Sequence, residues 1–230
     1  MTEIRPARLS DAKRLTEIYD YYVKNTAISF EYAAPTVAEF RGRMERVMAR
    51  YPYLVAVQDG VVAGFSYAHP FVGRAAYGWS CELTIYLDPA YRKRGLGRRL
   101  YAALEDALKE MGVLNLYACI GYPETEDEYL SRNSADFHAH LGFETVGVFH
   151  KCGYKFDRWY DMIWMEKIIG THESPAAPVR GFNTHKTRFR SIQKEEKHET
   201  NEKGMGPAVL RACRPFPFRL RRDRRRAGNH

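Results

Sequence analysis

The sequence is poor in cysteine, and the cysteines it has are widely spaced. Its 230 residues include four, Cys81, Cys119, Cys152 and Cys213, and no two of them form a Cys-x-x-Cys pair. This pattern favours neither a disulfide framework nor a metal site. Two of the four lie in apolar strand-like runs, so we expect small buried side chains in a reducing compartment and no bound metal.

Long hydrophobic runs are also missing. Residues 1–6 contain no apolar stretch of signal-peptide length, and nowhere do 18 apolar residues follow one another. A membrane-spanning helix needs about 20 such residues. The sequence therefore predicts a soluble, cytoplasmic protein that makes no use of a membrane.

An excess of positive charge is missing from the first 170 residues. They carry 21 Lys and Arg against 22 Asp and Glu, whereas residues 171–230 carry 15 against 6. The isoelectric point near 9.3 therefore comes from the last 60 residues alone. We expect one domain at residues 1–170 and a basic, disordered and dispensable extension at residues 171–230. The alternative is a basic arm for nucleic acid or for acidic lipid headgroups.

The hydrophobic pattern of the first 170 residues alternates between strand and helix periodicity. Ser10 is a candidate N-cap for a first helix, and Thr36 with Glu39 forms a capping box for a second. Asp59-Gly60 predicts a hairpin turn, and Gly112 is a candidate helix C-cap. The element order β-α-α-β-β-β-α-β-α-β-β predicts an α/β (α+β) fold, a mixed sheet with helices on both faces.

The most informative segment joins a strand to a long amphipathic helix. The strand at residues 82–87 ends in Asp88-Pro89, and a basic glycine loop precedes the helix at residues 97–111. Glycines let the backbone approach a ligand, and a helix N-terminus offers free N–H groups and partial positive charge, so we predict a pyrophosphate site. The loop consists of Arg92, Lys93, Arg94, Gly95, Leu96 and Gly97.

Two common phosphate motifs do not fit this loop. It lacks the Gly-Lys-Ser/Thr ending of a P-loop, and it lacks both the third glycine and the later acidic residue of a dinucleotide fingerprint. An ordinary basic helix cap remains the structural alternative.

The loop resembles the Arg/Gln-x-x-Gly-x-Gly loop of the GNAT superfamily of N-acetyltransferases. Three further blocks, residues 76–87, 137–143 and 153–161, resemble its phosphinothricin and methionine sulfoximine acetyltransferase branch in order and spacing. The resemblance covers residues 2–168. It implies the GNAT fold with a splayed groove after the fourth strand, and direct acetyl transfer from acetyl-CoA to the primary amine of a small amino-acid-like substrate. It also implies a homodimer.

Two residues are candidates for the proton chemistry that an amine acceptor requires. Glu82 shares a strand face with Thr84 and Tyr86, and burial there would raise its pKa and make it a better base. A structural, hydrogen-bonded carboxylate is the alternative for Glu82. His138 aligns with a family histidine and would help to deprotonate the amine or orient the base, although a helix-surface role, which suits His140 better, remains open.

The resemblance also implies binding residues. The backbone of Ile85, Tyr86 and Leu87 would pair with the pantetheine arm, and one of its N–H groups would polarise the thioester carbonyl. Where the family has an asparagine near the pantetheine, this sequence has Ser131, with Asn133 two residues later. On the amine side, Arg74 would pair with a substrate carboxylate. The pocket would be completed by Phe30, Tyr77, Lys155 and Trp159, and a loop at residues 154–159 would cross between subunits.

Two other functions fit parts of the sequence. A protein N-terminus or a polyamine could be the amine acceptor on the same fold. A nucleic-acid-binding protein that senses acyl-CoA and binds through the basic extension is the alternative outside enzymes.

Overall fold

A computed structural model describes residues 2–182 as a mixed seven-stranded sheet with four α-helices. The element order predicted from the sequence is confirmed. The strands are β1 (Thr2–Pro6), β2 (Tyr53–Gln58), β3 (Val61–Pro70), β4 (Ser80–Leu87), β5 (Asn115–Tyr122), β6 (Glu144–Lys155) and β7 (Arg158–Ile168). The helices are α1 (Ala12–Asn25), α2 (Val37–Met48), α3 (Leu96–Met111) and α4 (Asn133–His140).

The strand order is β1-β2-β3-β4-β5-β7-β6, and every neighbouring pair is antiparallel except β4 and β5. This parallel pairing is short, because it joins Ser80–Glu82 to Asn115–Tyr117 and goes no further along β4. The rest of β4 therefore separates from β5 and leaves a groove between two half-sheets. Helices α1 and α2 pack on one face of the sheet and α3 on the other, each over its own hydrophobic cluster.

Local sequence signals explain most of the element boundaries. The Thr36 hydroxyl accepts the N–H of Glu39 while the Glu39 carboxylate accepts the N–H of Thr36, so the predicted capping box is confirmed. Asp59 and Gly60 have φ of 51° and 84°, as a tight hairpin turn requires. Gly112 ends α3 with φ of 88°.

The predicted N-cap of the first helix is wrong by one residue. Ser10 lies inside a short 3₁₀ turn, and α1 begins at Ala12. Asp11 stabilises this entry instead, because its carboxylate accepts the N–H of Arg8 at 2.7 Å and pairs with the Arg5 guanidinium at 2.8 Å. The stronger acceptor with a nearby arginine therefore wins over the serine hydroxyl.

The C-terminal strands are longer than the sequence pattern predicts. The predicted loop at residues 154–159 is the tight end of a β6–β7 hairpin, whose turn residues Phe156 and Asp157 have φ of 52° and 57°. Tyr154 pairs with Trp159 in the last rungs of this ladder. Exposed polar and aromatic positions masked the alternation that would have shown these strands.

The domain extends beyond the predicted boundary at residue 170. Residues 171–182 run back across the domain, and Phe182 is buried in the main hydrophobic cluster with 5% of its surface exposed. The indole N–H of Trp79 donates to the carbonyl of Ala177 at 2.6 Å. This segment therefore contacts the domain through Phe182 and Ala177, whereas the sequence pattern predicts an extension from residue 171. The rest of the predicted extension, including Cys213, lies outside the described residues.

Within residues 2–182, no helix combines the length and apolar character needed to cross a bilayer. The same part of the chain holds no group of three or more His, Cys, Asp or Glu side chains placed to ligate a metal ion. Cys81, Cys119 and Cys152 are free thiols.

Candidate active site

The basic glycine loop forms the N-terminus of α3. Gly95 occupies the N-cap position with φ of 74°, and Lys93 also has a positive φ of 59°. The first helical bond runs from the N–H of Arg99 to the carbonyl of Gly95 at 3.2 Å. The N–H groups at the start of a helix have no partner within it and carry partial positive charge, so this end of α3 can bind an anion.

The side chains of the loop divide between solvent and core. The Arg92 guanidinium lies 5.3 Å from the Tyr22 ring centre and that of Arg94 lies 5.2 Å from Tyr91, and both arginines are exposed. Leu96 is buried and anchors the loop in the main hydrophobic cluster. The predicted loop residues therefore contribute in two ways, through backbone and charge at the surface and through Leu96 in the core.

Gly97 allows α3 to pack closely against α4. A Cβ atom at this position would lie 3.1 Å from the Phe137 ring. This distance is tighter than most packed side chains tolerate, so a larger residue would push the two helices apart. The second glycine of the loop therefore serves helix packing as well as access to the backbone.

The free edge of β4 faces the groove with alternate residues. The N–H of Asp88 donates to the Ala63 carbonyl on β3. The backbone N–H and C=O groups of successive residues point to opposite sides of a strand, so those of Tyr86 also point toward β3. Ile85 and Leu87 face the groove. The Tyr22 hydroxyl holds both backbone groups of Leu87, donating to its carbonyl at 2.5 Å and accepting its N–H at 3.3 Å. Ile85 therefore presents the backbone that suits a ligand best.

Glu82 lies at the point where β4 leaves β5. Its side chain is 21% exposed, and its carboxylate oxygen Oε2 is 3.7 Å from Nε2 of His69, the residue directly opposite on β3. Burial raises the pKa of Glu82, and the positive charge of a protonated His69 would oppose that shift. A carboxylate with a raised pKa at a groove is a candidate base.

A small cavity lies beneath this face of β4, between the sheet and helices α1 and α2. Its volume is about 150 Å³, and Tyr67 and Thr84 lie in its wall, two pairs along the β3–β4 ladder from His69 and Glu82. At its edge the Arg43 guanidinium pairs with the Glu31 carboxylate at 2.6 Å. Burial raises the pKa of Tyr67 to about 12, so its hydroxyl stays protonated.

His138 is sealed in the core rather than exposed to the groove. Its side chain has both nitrogens occupied, with Nδ1 donating to the Ser134 carbonyl at 2.7 Å and Nε2 accepting from the Tyr101 hydroxyl at 2.9 Å. Burial lowers its pKa to about 4, so the ring is neutral. The geometry therefore does not support direct deprotonation of an amine by His138, because neither nitrogen is free to receive a proton.

Lys155 is also placed differently from the prediction. Its ammonium donates to three backbone carbonyls, those of Val23 at 2.7 Å, Thr26 at 2.9 Å and Ser29 at 2.6 Å. All three N–H bonds are used and 3% of the residue is exposed, so Lys155 has no donor left for a substrate. It caps the C-terminal end of α1 and holds the connection to α2 in place.

The other predicted substrate residues lie on three separate segments. Arg74 and Tyr77 are exposed on the segment between β3 and β4. Phe30 lies on the α1–α2 connection, and its ring packs so tightly on Gly153 that a Cβ atom there would be 2.5 Å away. Trp159 is 61% exposed on the β6–β7 hairpin.

Ser131 and Asn133 flank the N-terminus of α4. Asn133 is exposed and Ser131 half-buried. The backbone N–H of Arg132 between them donates to the Glu126 carboxylate at 2.7 Å. The Glu126 carboxylate is thus held by a backbone N–H nearby, and the assignment of Ser131 or Asn133 to the cofactor stays a prediction.

Residues 4–164 match the family described as the acetyltransferase (GNAT) domain. The chain belongs to the GNAT acetyltransferases. It is an acetyl-CoA-dependent N-acetyltransferase, and its relatives place it in the phosphinothricin and methionine sulfoximine acetyltransferase group.

Three relatives illustrate the similarity. The phosphinothricin N-acetyltransferase of Streptomyces viridochromogenes is 34% identical over 77% of this chain and 93% of its own. The L-methionine sulfoximine/L-methionine sulfone acetyltransferase of Salmonella typhimurium is 29% identical over 76% of this chain and 98% of its own. The crystal structure of a phosphinothricin acetyltransferase from Sinorhizobium meliloti in complex with acetyl-CoA has a TM-score of 0.70 and 32% identity, and covers 77% of this chain and 93% of that one.

Sequence reasoning missed two residues that the GNAT fold brings to this site. His69 meets Glu82 across the β3–β4 ladder, and Tyr101 on α3 binds His138. The alternation in the sequence predicts a strand that ends at Ala68, one residue before His69, and the partner of His69 depends on the register between two strands. Tyr101 lies on the buried face of α3 among apolar residues, so the sequence pattern did not indicate that its hydroxyl has a polar partner.

Proposed function

We propose that this GNAT enzyme transfers acetyl from acetyl-CoA directly to the α-amino group of a small amino acid of the phosphinothricin or methionine sulfoximine type. The observation that carries this proposal is the position of Glu82, a partly buried carboxylate where β4 diverges from β5. A base at this point lies between the groove for the acyl donor and the pocket for the amine. The names of the relatives supply the substrate class.

The donor side is built from backbone and positive charge. The N–H groups at the start of α3 and the side chains of Arg92, Lys93 and Arg94 hold the pyrophosphate of acetyl-CoA. The backbone of Ile85 pairs with the pantetheine arm, and its N–H polarises the thioester carbonyl. When bound, acetyl-CoA supplies the acyl group, and these residues align it with the amine.

The acceptor side combines one base with one cation. The Glu82 carboxylate removes a proton from the substrate ammonium, which frees the nitrogen lone pair for attack. Arg74 pairs with the substrate carboxylate, and Phe30 and Tyr77 line the apolar part of the pocket. This pairing makes a free carboxylate beside the amine a requirement for rapid turnover.

His138 has a positioning role in this proposal. As a neutral acceptor, His138 fixes the orientation of the Tyr101 hydroxyl. Burial raises the pKa of Tyr101, and the nearby charge of the Glu82 carboxylate raises it further. Loss of the His138 acceptor would free a buried hydroxyl behind the catalytic carboxylate.

A second copy of the chain covers the outer face of the β6–β7 hairpin in this proposal. Edge strand β6 exposes Val146, Val148 and Phe149 by 45–51%, and Trp159 extends the same hairpin. An apolar edge strand exposed in this way invites pairing with another chain. Sedimentation velocity of the wild type and of Val148→Lys tests it: we expect a dimer that the charge disrupts, and a wild-type monomer would contradict it.

The function is tested by measuring CoA thiol release with a panel of amines. Phosphinothricin and methionine sulfoximine should react faster than their decarboxylated analogues, a peptide with a free N-terminus or a polyamine. Faster turnover of the peptide or the polyamine would assign the enzyme to a different acceptor. Binding of acetyl-CoA without turnover of any amine would instead favour an acyl-CoA sensor.

A further inference from the structure

Histidine 69 is a titratable residue at the edge of the site that the mechanism above does not use. Resting on the proposed function, in which Glu82 takes a proton from the amine, we propose that His69 passes this proton from Glu82 to the solvent. The pair would form a two-step proton exit, with Glu82 facing the substrate and His69 facing water.

The register of β3 and β4 sets the two side chains side by side. His69 and Glu82 are direct partners in the antiparallel ladder, and Nε2 lies 3.7 Å from Oε2. Side chains opposite each other in such a ladder point to the same face of the sheet. The gap exceeds a hydrogen bond by a few tenths of an ångström, and catalytic contacts are often this long before substrate binds.

The tautomer of His69 suits a proton acceptor. Its Nδ1 lies 3.1 Å from the carbonyl of Pro70, which can only accept, so Nδ1 carries the hydrogen of the neutral ring. Nε2 then has a lone pair on the side of Glu82. The His69 side chain is also more exposed than that of Glu82, at 30% against 21%, so a proton moves outward along this path.

The reaction releases one proton that must leave the site. The ammonium begins with three N–H bonds, and the amide product keeps one. As the C–N bond forms and the C–S bond breaks, one of the two released protons converts the CoA thiolate into a thiol. The other is taken by the Glu82 carboxylate, moves to Nε2 of His69 to give an imidazolium, and is then released to water or buffer, which restores the neutral ring.

Three other titratable groups near Glu82 are unsuited to this role. Tyr67 on β3, Tyr101 on α3 and Cys119 on β5 all feel the charge of Glu82. Burial raises the pKa of Tyr67 and of Cys119 to about 12 and that of Tyr101 further, so each keeps its own proton. His69, by contrast, has a ring nitrogen with a lone pair on the side of Glu82.

The test uses His69→Gln in the full-length enzyme, with His140→Gln as a matched control on the exposed side of α4. In weak buffer near neutral pH we expect His69→Gln to lower kcat on the order of tenfold without changing KM for acetyl-CoA. Added imidazole, a small diffusible base, should restore most of the loss. An unchanged kcat, or a loss that imidazole leaves untouched, would overturn the proposal, because a purely structural role would not respond to buffer.

The double variant separates this proposal from the proposed function. If His69 acts through Glu82, then His69→Gln should add little to the loss already caused by Glu82→Gln, whereas independent roles would multiply. If the wild type acetylates amino acids and His69→Gln has the same kcat in every buffer, the proton relay is wrong and the proposed function stands. A wild type that acetylates none of the amines defeats the proposed function itself.

Discussion

The Tyr101 hydroxyl donates a 2.9 Å hydrogen bond to Nε2 of His138 within the hydrophobic core. The rings of Phe137 and Phe143 each lie 5.3 Å from the His138 ring, centre to centre. The Ser134 carbonyl accepts from the other ring nitrogen. The fold therefore favours a neutral histidine at this position, because protonation would place a positive charge in an apolar site.

A loss of stability in mild acid follows from this contact. Burial lowers the pKa of His138 from 6.5 to about 4, so the unfolded chain binds this proton more readily than the folded one. The contribution of neutral His138 to the free energy of unfolding is complete above pH 6.5. As the pH falls toward 4, up to about 3 kcal/mol of it is lost. Urea unfolding between pH 4.5 and 7.5 measures it.

His138→Gln should flatten this pH dependence because it removes the titrating group, whereas the exposed His140→Gln should leave the slope unchanged. Equal slopes for His138→Gln and the wild type would show that another group is responsible.

Replacement of Glu82 by Gln should lower kcat on the order of 10²-fold, because the amine loses its base. The affinity for acetyl-CoA should stay the same, since the neutral side chain keeps the shape of the groove. Because burial raises the pKa of Glu82, the wild-type rate should rise with pH as this carboxyl ionises, and the variant should lose that step. Thiol release and calorimetric titration measure the two effects.

Glu45→Gln is the control for this variant, because Glu45 lies on the exposed face of α2 and pairs weakly with Arg41 at 3.3 Å. If Glu82→Gln turned over as fast as this control with both substrates saturating, Glu82 would have no part in the chemistry.

Lys155→Met should destabilise the domain and weaken amine binding together. It leaves the carbonyls of Val23, Thr26 and Ser29 without their charged donor, a loss on the order of 3 kcal/mol. The loosened α1–α2 connection carries Phe30, so KM for the amine should rise more than KM for acetyl-CoA.

The exposed Lys13 on α1 provides the control, and Lys13→Met should change the unfolding free energy by less than about 0.5 kcal/mol. Indistinguishable unfolding curves for the Lys155 and Lys13 variants would contradict the capping role of Lys155.

Two C-terminal truncations should behave differently. A chain ending at Gly170 loses the buried ring of Phe182 and the hydrogen bond from Trp79 to Ala177, so it should lose about 3 kcal/mol or more. A chain ending at Phe182 keeps both and should melt at the temperature of the full chain. Scanning calorimetry of the full chain and the two truncated forms measures these melting temperatures. Equal values for the two truncated forms would contradict a stabilising role for residues 171–182.

Features that depend on neighbours in the sequence were predictable. Thr36 with Glu39 and Asp59 with Gly60 act over no more than four residues, and the structure has both as expected. The shared face of Thr84 and Tyr86 likewise follows from strand alternation, and both line the cavity beneath β4. Such signals carry their own geometry.

Features that depend on distant pairings were not predictable. The contact of His69 with Glu82 is set by the register of two strands, and the role of Lys155 by carbonyls more than 120 positions away. Phe182 is a single aromatic in a segment of prolines and polar residues without periodicity, so nothing local marked it as core.

The bond from Lys155 to the Val23 carbonyl also bears on the order in which the domain folds. It joins residues 132 positions apart, and contacts of such separation form late because a long loop must close first. The first helix can be complete while the α1–α2 connection still lacks the contacts that the last hairpin supplies. During synthesis the α1–α2 connection therefore gains its contacts with Lys155 only after nearly the whole domain has left the ribosome.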